Sequence, residues 1–222
     1  MITVITPTAD RPFAWPLAEK WMARQTVQPD LWIVSDDGHQ AAPITMGQTH
    51  IRRERTHEGG ASLAMNLLSA LPHVPEGLVF IIEDDDAYRP DHIEVQARRL
   101  ADVEATGCRW MDYYNVEHRK WKVTRNACAA LCNTAFRSSR LPDLEAAAKQ
   151  ALAEGIYHVD RLFWQRVGYQ GLHDERTVVG IKGLPGSAGI GVGHRPGRGW
   201  QPDPQGRKLR QWIGEDAACY GL

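Results

Sequence analysis

The first half of the chain alternates short apolar runs with segments of helical spacing. Continuous apolar or β-branched runs are typical of strands buried on both faces, and they predict strands at residues 2–6, 31–35, 49–53 and 78–82. Apolar residues at helical spacing, together with a proline that can open a helix, predict helices over 13–25, over 61–71 and from Pro90 onward. This alternation favours an α/β fold with a mostly parallel sheet and right-handed crossovers.

The second half has a different pattern. Residues 109–136 predict two or three antiparallel strands, with a turn at "NVEH" and a buried run at "ACAALC". Helices are predicted over 143–153 and over a segment whose apolar stripe comprises Val159, Leu162, Phe163 and Val167. Residues 181–200 contain seven glycines and two prolines, so we expect a flexible loop that could close over phosphate.

Composition and charge say little about the binding partner or the cellular location of the protein. The 222 residues carry a formal net charge of −1, so overall charge identifies no partner. The longest apolar run, "LVFII", is far shorter than the roughly 20 residues that span a bilayer. The start, "MITVITPT", lacks the features of a signal peptide, which favours a cytoplasmic protein. Four cysteines without paired CxxC spacing are expected to be reduced thiols.

Acidic residues follow the predicted strands. The segments "TPTADRP", "SDDG" and "EDDDAYRP" each come after such a strand, and ligands of parallel sheets bind where the carboxyl ends of strands meet. The four consecutive acids at 83–86 repel one another unless positive charge lies among them. Hard oxygen ligands select magnesium, manganese or calcium. The plainer alternative is an acidic loop exposed to water.

Four segments together resemble a known family. "ITVITPTADRP", "LWIVSDDG", "EGGASLAMN" and "FIIEDDDAYRPDHIE" occur in the order and approximate spacing of family 2 glycosyltransferases with the GT-A fold. The resemblance covers about the first 100 residues. It implies a mostly parallel nucleotide-binding sheet flanked by helices, with a smaller antiparallel acceptor-side portion. We expect one domain over 1–222, made of a nucleotide-sugar-binding half (1–105), an acceptor half (106–180) and a glycine-rich loop with a basic tail (181–222).

The resemblance also implies a donor site. Contacts to the nucleotide-sugar are expected from Thr6, Pro7, Thr8, Arg11, Asp36, Asp37, Gly60, Asn66 and Asp84. Asp85 and Asp86 are expected to bind Mn²⁺ or Mg²⁺, while Glu83 replaces the usual first aspartate of the DxD motif. "DDG" is also a good turn sequence. Met65 stands where the family often has arginine, so a phosphate contact could come instead from Arg52, Arg53 or Arg55, or these could form a solvated edge.

The catalytic and late-loop residues follow from the same resemblance. Asp160 matches the family's catalytic base, which lies just before a helix. It would accept the proton of an acceptor hydroxyl as that oxygen attacks the anomeric carbon, and the attack would invert the anomeric configuration. The alternative is a helix N-terminal acid without chemistry; Asp174 and Glu175 are weaker substitutes. His194 is expected to be a further metal contact. Phosphate partners are expected from Lys182, Arg195 and Arg198.

The acceptor stays open between a glycan, a small molecule and nucleic acid, including a modified DNA base. Residues 118–125 and 206–212 interleave cations with Trp121 and Trp212, which suits a polyanion with exposed bases, sugar stacking or ordinary solvated strands. The function favoured by the sequence is metal-dependent, inverting transfer from a nucleotide-sugar. The alternatives are a non-catalytic nucleotide-sugar or nucleic-acid binding module and a metal-dependent nucleotidyltransferase or phosphohydrolase.

Overall fold

A computed structural model describes residues 1–186 and 192–222. The elements of the first half are β1 (Ile2–Thr8), α1 (Trp15–Ala23), β2 (Leu31–Asp36), β3 (Thr49–Arg52), α2 (Gly59–Ala70), β4 (Leu78–Ile81), β5 (Ala87–Tyr88) and α3 (His92–Arg99). Those of the second half are β6 (Ala105–Cys108), β7 (Trp110–Asn115), β8 (Lys120–Arg125), β9 (Thr134–Arg137), α4 (Leu141–Glu154), α5 (Val159–Val167), β10 (Leu172–His173), β11 (Val178–Lys182), β12 (Gln201–Pro202) and α6 (Arg207–Ile213).

The larger sheet contains seven strands of the described chain, in the order β10-β6-β9-β4-β1-β2-β3. β1 runs parallel to both β2 and β4, and β2 runs parallel to β3. Successive side chains of a strand point to opposite faces, so Val4 packs in one buried cluster with Trp15 and Phe80. Ile5 packs in the other cluster, with residues of α2, α4 and α5. Both faces are therefore covered by apolar packing, as continuous apolar runs predict.

The smaller sheet has five strands among the described residues, in the order β12-β8-β7-β11-β5. Its pairs are antiparallel except β7 with β11, which run parallel. This sheet carries most of the strand residues from the second half of the chain. The predicted class, a mostly parallel sheet flanked by helices with a smaller antiparallel part, is confirmed.

Several local expectations differ from the structure. Only β7 and β8 of the region 109–136 form the expected hairpin, because β9 instead joins the larger sheet between β4 and β6. The run "ACAALC" is a loop with a 3₁₀ turn, although Ala129 and Leu131 are buried. The third helix starts at His92 rather than Pro90. The predicted loop over 181–200 includes residues 187–191, which lie outside the described residues.

In the part of the chain that the structure describes, no helix is both long enough and apolar enough to cross a membrane. The four cysteines are free thiols, in agreement with the sequence.

Gly107 in β6 lies where no side chain fits. A Cβ atom there would be 2.5 Å from Ala129 Cβ and 2.8 Å from Trp164 Cζ2. We expect Gly107→Ala to lower the free energy of unfolding by about 1–3 kcal/mol through overpacking, measured by urea denaturation. Gly197→Ala is the matched control, because a Cβ there meets no described atom within 4 Å. Equal stability of the two variants would contradict this packing.

Candidate functional site

A cavity of about 300 Å³ opens where β1 and β4 end. The two strands pair in parallel, so Pro7 and Thr8 at the end of β1 come beside the acids that follow β4. The start of α2 and the start of α5 form further walls. The predicted site residues that line this cavity are Pro7, Thr8, Arg11, Asn66, Asp84, Asp85, Asp86, Asp160, Lys182 and His194.

The consecutive acids are held by two cations. Asp84 accepts hydrogen bonds from Thr8 Oγ1 at 2.6 Å and from Arg11 Nη1 at 2.6 Å. Asp85 Oδ2 lies 3.2 Å from Arg11 Nη1 and 3.2 Å from Lys182 Nζ. Lys182 Nζ also donates to Asp86 Oδ1 at 2.7 Å. Lys182, expected as a phosphate contact, is thus a buried counterion of the acids in this structure.

The pKa values of these groups diverge. Burial opposes ionisation of Asp85, but the charges of Lys182 and Arg11 outweigh it and lower its pKa to about 2. Burial and the charge of Asp86 raise the pKa of Glu83 to about 8. Burial raises the pKa of Asp86 to about 6 despite Lys182. Asp85 therefore stays ionised, whereas burial makes Glu83 and Asp86 harder to ionise beside the two cations.

The same cluster contains oxygen atoms suited to a hard cation. Asp85 Oδ1 and Asp86 Oδ2 are buried and have no hydrogen-bond partner among the described residues. Ligand atoms of Glu83, Asp86 and Cys132 lie within 4.8 Å of one another. Burial raises the pKa of the Cys132 thiol, so the carboxylates are the better ligands for a hard cation. These unpaired oxygens fit a divalent cation such as magnesium or manganese.

His194 stands at the edge of this cluster. Its Nε2 is 3.7 Å from Asp85 Oδ2. Burial, together with the charge of Lys182, lowers the pKa of His194 to about 4. The ring is therefore neutral near pH 7 and has a lone pair for coordination. The metal ligands expected from the sequence are Asp85, Asp86 and His194. The ligand atoms that lie close together belong to Glu83, Asp86 and Cys132, so Asp86 is common to both sets.

Some expected donor contacts lie away from the cavity. Thr6 is fully buried and accepts a hydrogen bond from Trp32 Nε1 at 2.9 Å. Asp36 accepts from Gly38 N at 2.8 Å and from Ala42 N at 2.8 Å, so it shapes the turn after β2. Gly60 is buried within α2, and Arg195 and Arg198 are exposed outside the lining. Trp32 and the turn N–H groups therefore engage Thr6 and Asp36, whereas the two arginines face solvent.

Asp37 and Asn66 form a buried network under the cavity floor. Asp37 Oδ2 accepts from Arg53 Nη2 at 2.7 Å and from Ser62 Oγ at 2.5 Å. Asn66 Nδ2 donates to Asp37 Oδ1 at 3.1 Å and to the Thr8 carbonyl at 3.2 Å. The network ties α2 to the ends of β1 and β2. Asp37 does not line the cavity, whereas Asn66 does.

Of the three arginines considered for phosphate, Arg55 lines the cavity. Its Nη2 lies 3.1 Å from Asp10, and its Nε is buried without a hydrogen-bond partner among the described residues. Arg52 pairs with Asp36 at 2.6 Å, and Arg53 serves Asp37. Arg55 Nε also lies 3.8 Å from Asp37 Oδ2, so this arginine has acidic neighbours, but it is the one of the three that lines the cavity.

Asp160 lies in the first turn of α5 and lines the cavity. The Arg161 backbone N–H donates to its Oδ1 at 2.7 Å, and no lysine or arginine of the described chain forms a salt bridge with it. Burial raises its pKa. The two substitutes, Asp174 and Glu175, lie outside the cavity near Arg125 and Arg99.

The two basic stretches pack against each other. Trp121 of β8 and Trp212 of α6 meet edge to face with ring centroids 5.8 Å apart. Lys208 Nζ lies 4.8 Å and 5.1 Å from the centroids of these rings. The half-buried aromatics thus stabilise the docking of α6 on the smaller sheet.

Sequence reasoning did not identify several cavity residues. Tyr113, Leu131, Cys132, Tyr157 and His158 line the cavity. Alternation along the strand of residues 110–115 could have placed Tyr113 on the same face as Met111, another lining residue. The loop and helix-start residues carry no such periodic signal.

The fold matches solved structures of glycosyltransferases. The mannosyltransferase PcManGT from Pyrobaculum calidifontis, solved with GDP-Man and Mn²⁺, aligns with a TM-score of 0.53 and 17% identity, over 83% of this chain and 57% of that chain. S. aureus TarS, solved with UDP-GlcNAc, aligns with a TM-score of 0.48 and 13% identity, over 89% of this chain and 60% of that one. This chain therefore spans less than two thirds of the length of either protein. No protein-family model and no curated protein matches the sequence.

Removal of the buried lysine provides a test of the charge cluster. Lys182→Gln leaves Asp85 and Asp86 without their ammonium partner, so we expect a loss of about 3–5 kcal/mol in unfolding free energy without divalent cations. Mn²⁺ should restore more stability to this variant than it adds to wild type, measured by chemical denaturation with and without the ion.

Lys149→Gln is the control for this substitution, because Lys149 forms an exposed pair with Glu145 on α4. It should change stability by less than about 1 kcal/mol. If Lys182→Gln were as stable as this control, or gained no more from Mn²⁺ than wild type, the arrangement of acids and lysine would be contradicted.

Proposed function

We propose that this chain is a glycosyltransferase, a single GT-A-like domain that moves a sugar from a nucleotide-sugar to an acceptor hydroxyl with inversion. The observation that carries the proposal is one cavity lined both by the acids after β4 and by a carboxylate, Asp160, that forms no salt bridge with a lysine or arginine of the described chain. The fold shared with the mannosyltransferase, which was solved with GDP-Man and Mn²⁺, supports the same reading.

The charge of the lining favours a metal-assisted reaction. Six acidic side chains line the cavity, namely Glu58, Glu83, Asp84, Asp85, Asp86 and Asp160, and the basic ones are Arg11, Arg55 and Lys182. An anionic diphosphate enters such a cavity only if further positive charge accompanies it. Asp85 and Asp86, with Glu83 or His194 beside them, would hold Mn²⁺ or Mg²⁺. The cation would supply Lewis-acid stabilisation of the charge on the leaving diphosphate.

The chain's own residues would orient the donor. Pro7 and Thr8 would contact the nucleoside, and Asp84, held by Thr8 and Arg11, would accept from the ribose hydroxyls. Arg55, which lines the cavity, would donate to a phosphate oxygen. Asp36 would support this site by accepting a hydrogen bond from the turn at Gly38, and Asp37 by accepting one from Asn66.

Asp160 would act as the base. As the acceptor oxygen bonds to the anomeric carbon, the bond from that carbon to the diphosphate oxygen breaks, and the electron pair leaves with the nucleoside diphosphate. The acceptor proton passes to Asp160. Attack from the face opposite the leaving group inverts the anomeric configuration. The raised pKa of Asp160, caused by burial, makes it a stronger base than an exposed aspartate.

Asp160→Asn tests this assignment. We expect transfer to fall about 10²–10⁴-fold while nucleotide affinity changes little, because the base acts on the acceptor proton. Release of nucleoside diphosphate is measured in the presence of glycans, sugar phosphates and oligonucleotides. Asp174→Asn is the control, because Asp174 lies outside the cavity. In wild type the rate should fall on acidification at a higher pH than an unperturbed aspartate would give, since the pKa of Asp160 is raised.

The products separate the competing functions. A nucleotidyltransferase would release pyrophosphate rather than nucleoside diphosphate, and a binding module would bind the nucleotide-sugar without turnover. If Asp160→Asn kept full transfer activity, the assignment of the base would be wrong even if transfer itself were observed.

A further inference from the structure

A second cavity of about 270 Å³ adjoins the first. The two share Tyr113, Ala130, His158 and Asp160. Its other lining residues are Lys122, Thr124, Asn126, Cys128, Arg161 and Trp200. Asp160 therefore stands between the acid cluster on one side and this second space on the other.

The hairpin of β7 and β8 forms one wall of the second cavity. Tyr113 pairs across the strands with Lys122, so their side chains share a face, and Thr124 follows on the same face two residues later. Trp121, the residue before Lys122, points to the opposite face and packs on Trp212. The alternation of β8 thus sends one cation toward the cavity and the tryptophan away from it.

Two aromatic rings border the cavity. The Tyr113 and Trp200 ring centroids are 6.3 Å apart with an interplanar angle of 40°. Trp200 is partly exposed. Such a surface suits packing against the face of a sugar or another ring.

The charge of this cavity is opposite to that of the first. Among the described residues, the side chains of Lys122 and Arg161 form neither a salt bridge nor a hydrogen bond, unlike Arg11, Arg53 and Lys182. Asp160 is the acidic residue of the lining. Two unpaired cations beside an aromatic wall indicate a site for an anionic group.

We propose that the second cavity binds the acceptor, and that this acceptor is a small ring compound carrying a phosphate or carboxylate group. The inference rests on the proposed transferase function. The acceptor hydroxyl would lie at Asp160, its ring against Trp200, and its anionic group between Lys122 and Arg161. The volume is near the lower end of the range for small-molecule sites, about 300–1,000 Å³, which favours a compact acceptor over a polymer.

Direct binding tests the proposal without knowledge of the natural acceptor. Glucose 6-phosphate, glucuronate and methyl glucoside are titrated calorimetrically into the full chain. Saturating nucleoside diphosphate and Mn²⁺ are present, so that the first cavity cannot take up the phosphate. We expect the two anionic probes to bind at least about tenfold more tightly than methyl glucoside. A short single-stranded oligonucleotide is titrated in parallel.

Lys122→Gln and Arg161→Gln should each weaken binding of the anionic probes about tenfold, with nucleoside diphosphate affinity within about twofold of wild type. Lys120→Gln and Arg166→Gln are the controls, because these cations lie on the same strand and the same helix but outside the lining. Circular dichroism and the unchanged nucleotide affinity show that each variant is folded.

Equal binding of charged and neutral probes would overturn the proposal while leaving transferase activity intact. The proposal would also be overturned if Lys120→Gln and Arg166→Gln weakened binding as much as Lys122→Gln and Arg161→Gln. Tight binding of the oligonucleotide alone would replace the small acceptor with nucleic acid. Failure of nucleoside diphosphate to bind would instead count against the proposed function itself.

Discussion

Asp84, Asp85 and Asp86 are buried side by side at the end of β4, and burial of several like charges is tolerated only where positive charge meets them. Arg11 comes from the loop after β1 and Lys182 from the end of β11. The acids therefore connect the two sheets, because one counterion belongs to each. The position of β11, and of its neighbour β7 with Tyr113, depends on this electrostatic link as well as on apolar packing.

The same link explains the chemistry that the cavity favours. Two cations accompany four acids, and burial raises the pKa values of Glu83 and Asp86. Unpaired buried oxygens on Asp85 and Asp86 remain available. A divalent cation would offset part of this negative charge and would give an anionic diphosphate a positive partner in the cavity. The second cavity, beyond Asp160, is lined by the unpaired cations Lys122 and Arg161. It therefore favours an anionic group rather than a cation.

Sequence patterns predicted the parts of this arrangement that arise locally. The apolar runs identify β1, β2 and β4, and the rule for parallel sheets brings Thr8 and the acids together. The resemblance assigned Asn66 to the donor site and Asp160 to catalysis, and both residues line the cavity. Their chemical roles remain predictions.

Other features depend on contacts between distant segments. The insertion of β9 between β4 and β6 is a choice of partner that no local pattern encodes. Asp36 and Asp37 were expected to face the nucleotide, but turn N–H groups and Arg53 engage them. Lys182 was expected at phosphate, yet it lies among the acids because β11 ends beside them. A sequence shows which side chains carry charge, but not which charges pair.

The central claim is that the acids after β4 bind a divalent cation together with the diphosphate of a nucleoside diphosphate or nucleotide-sugar. Thermal denaturation of wild type and Asp85→Ala, with nucleoside diphosphates and nucleotide-sugars in the presence and absence of Mn²⁺, tests it most directly. The account predicts that at least one nucleotide stabilises wild type only when Mn²⁺ is present, and that Asp85→Ala abolishes this joint effect. Stabilisation that is independent of Mn²⁺ or unchanged in the variant, or its absence with every nucleotide, would contradict the account.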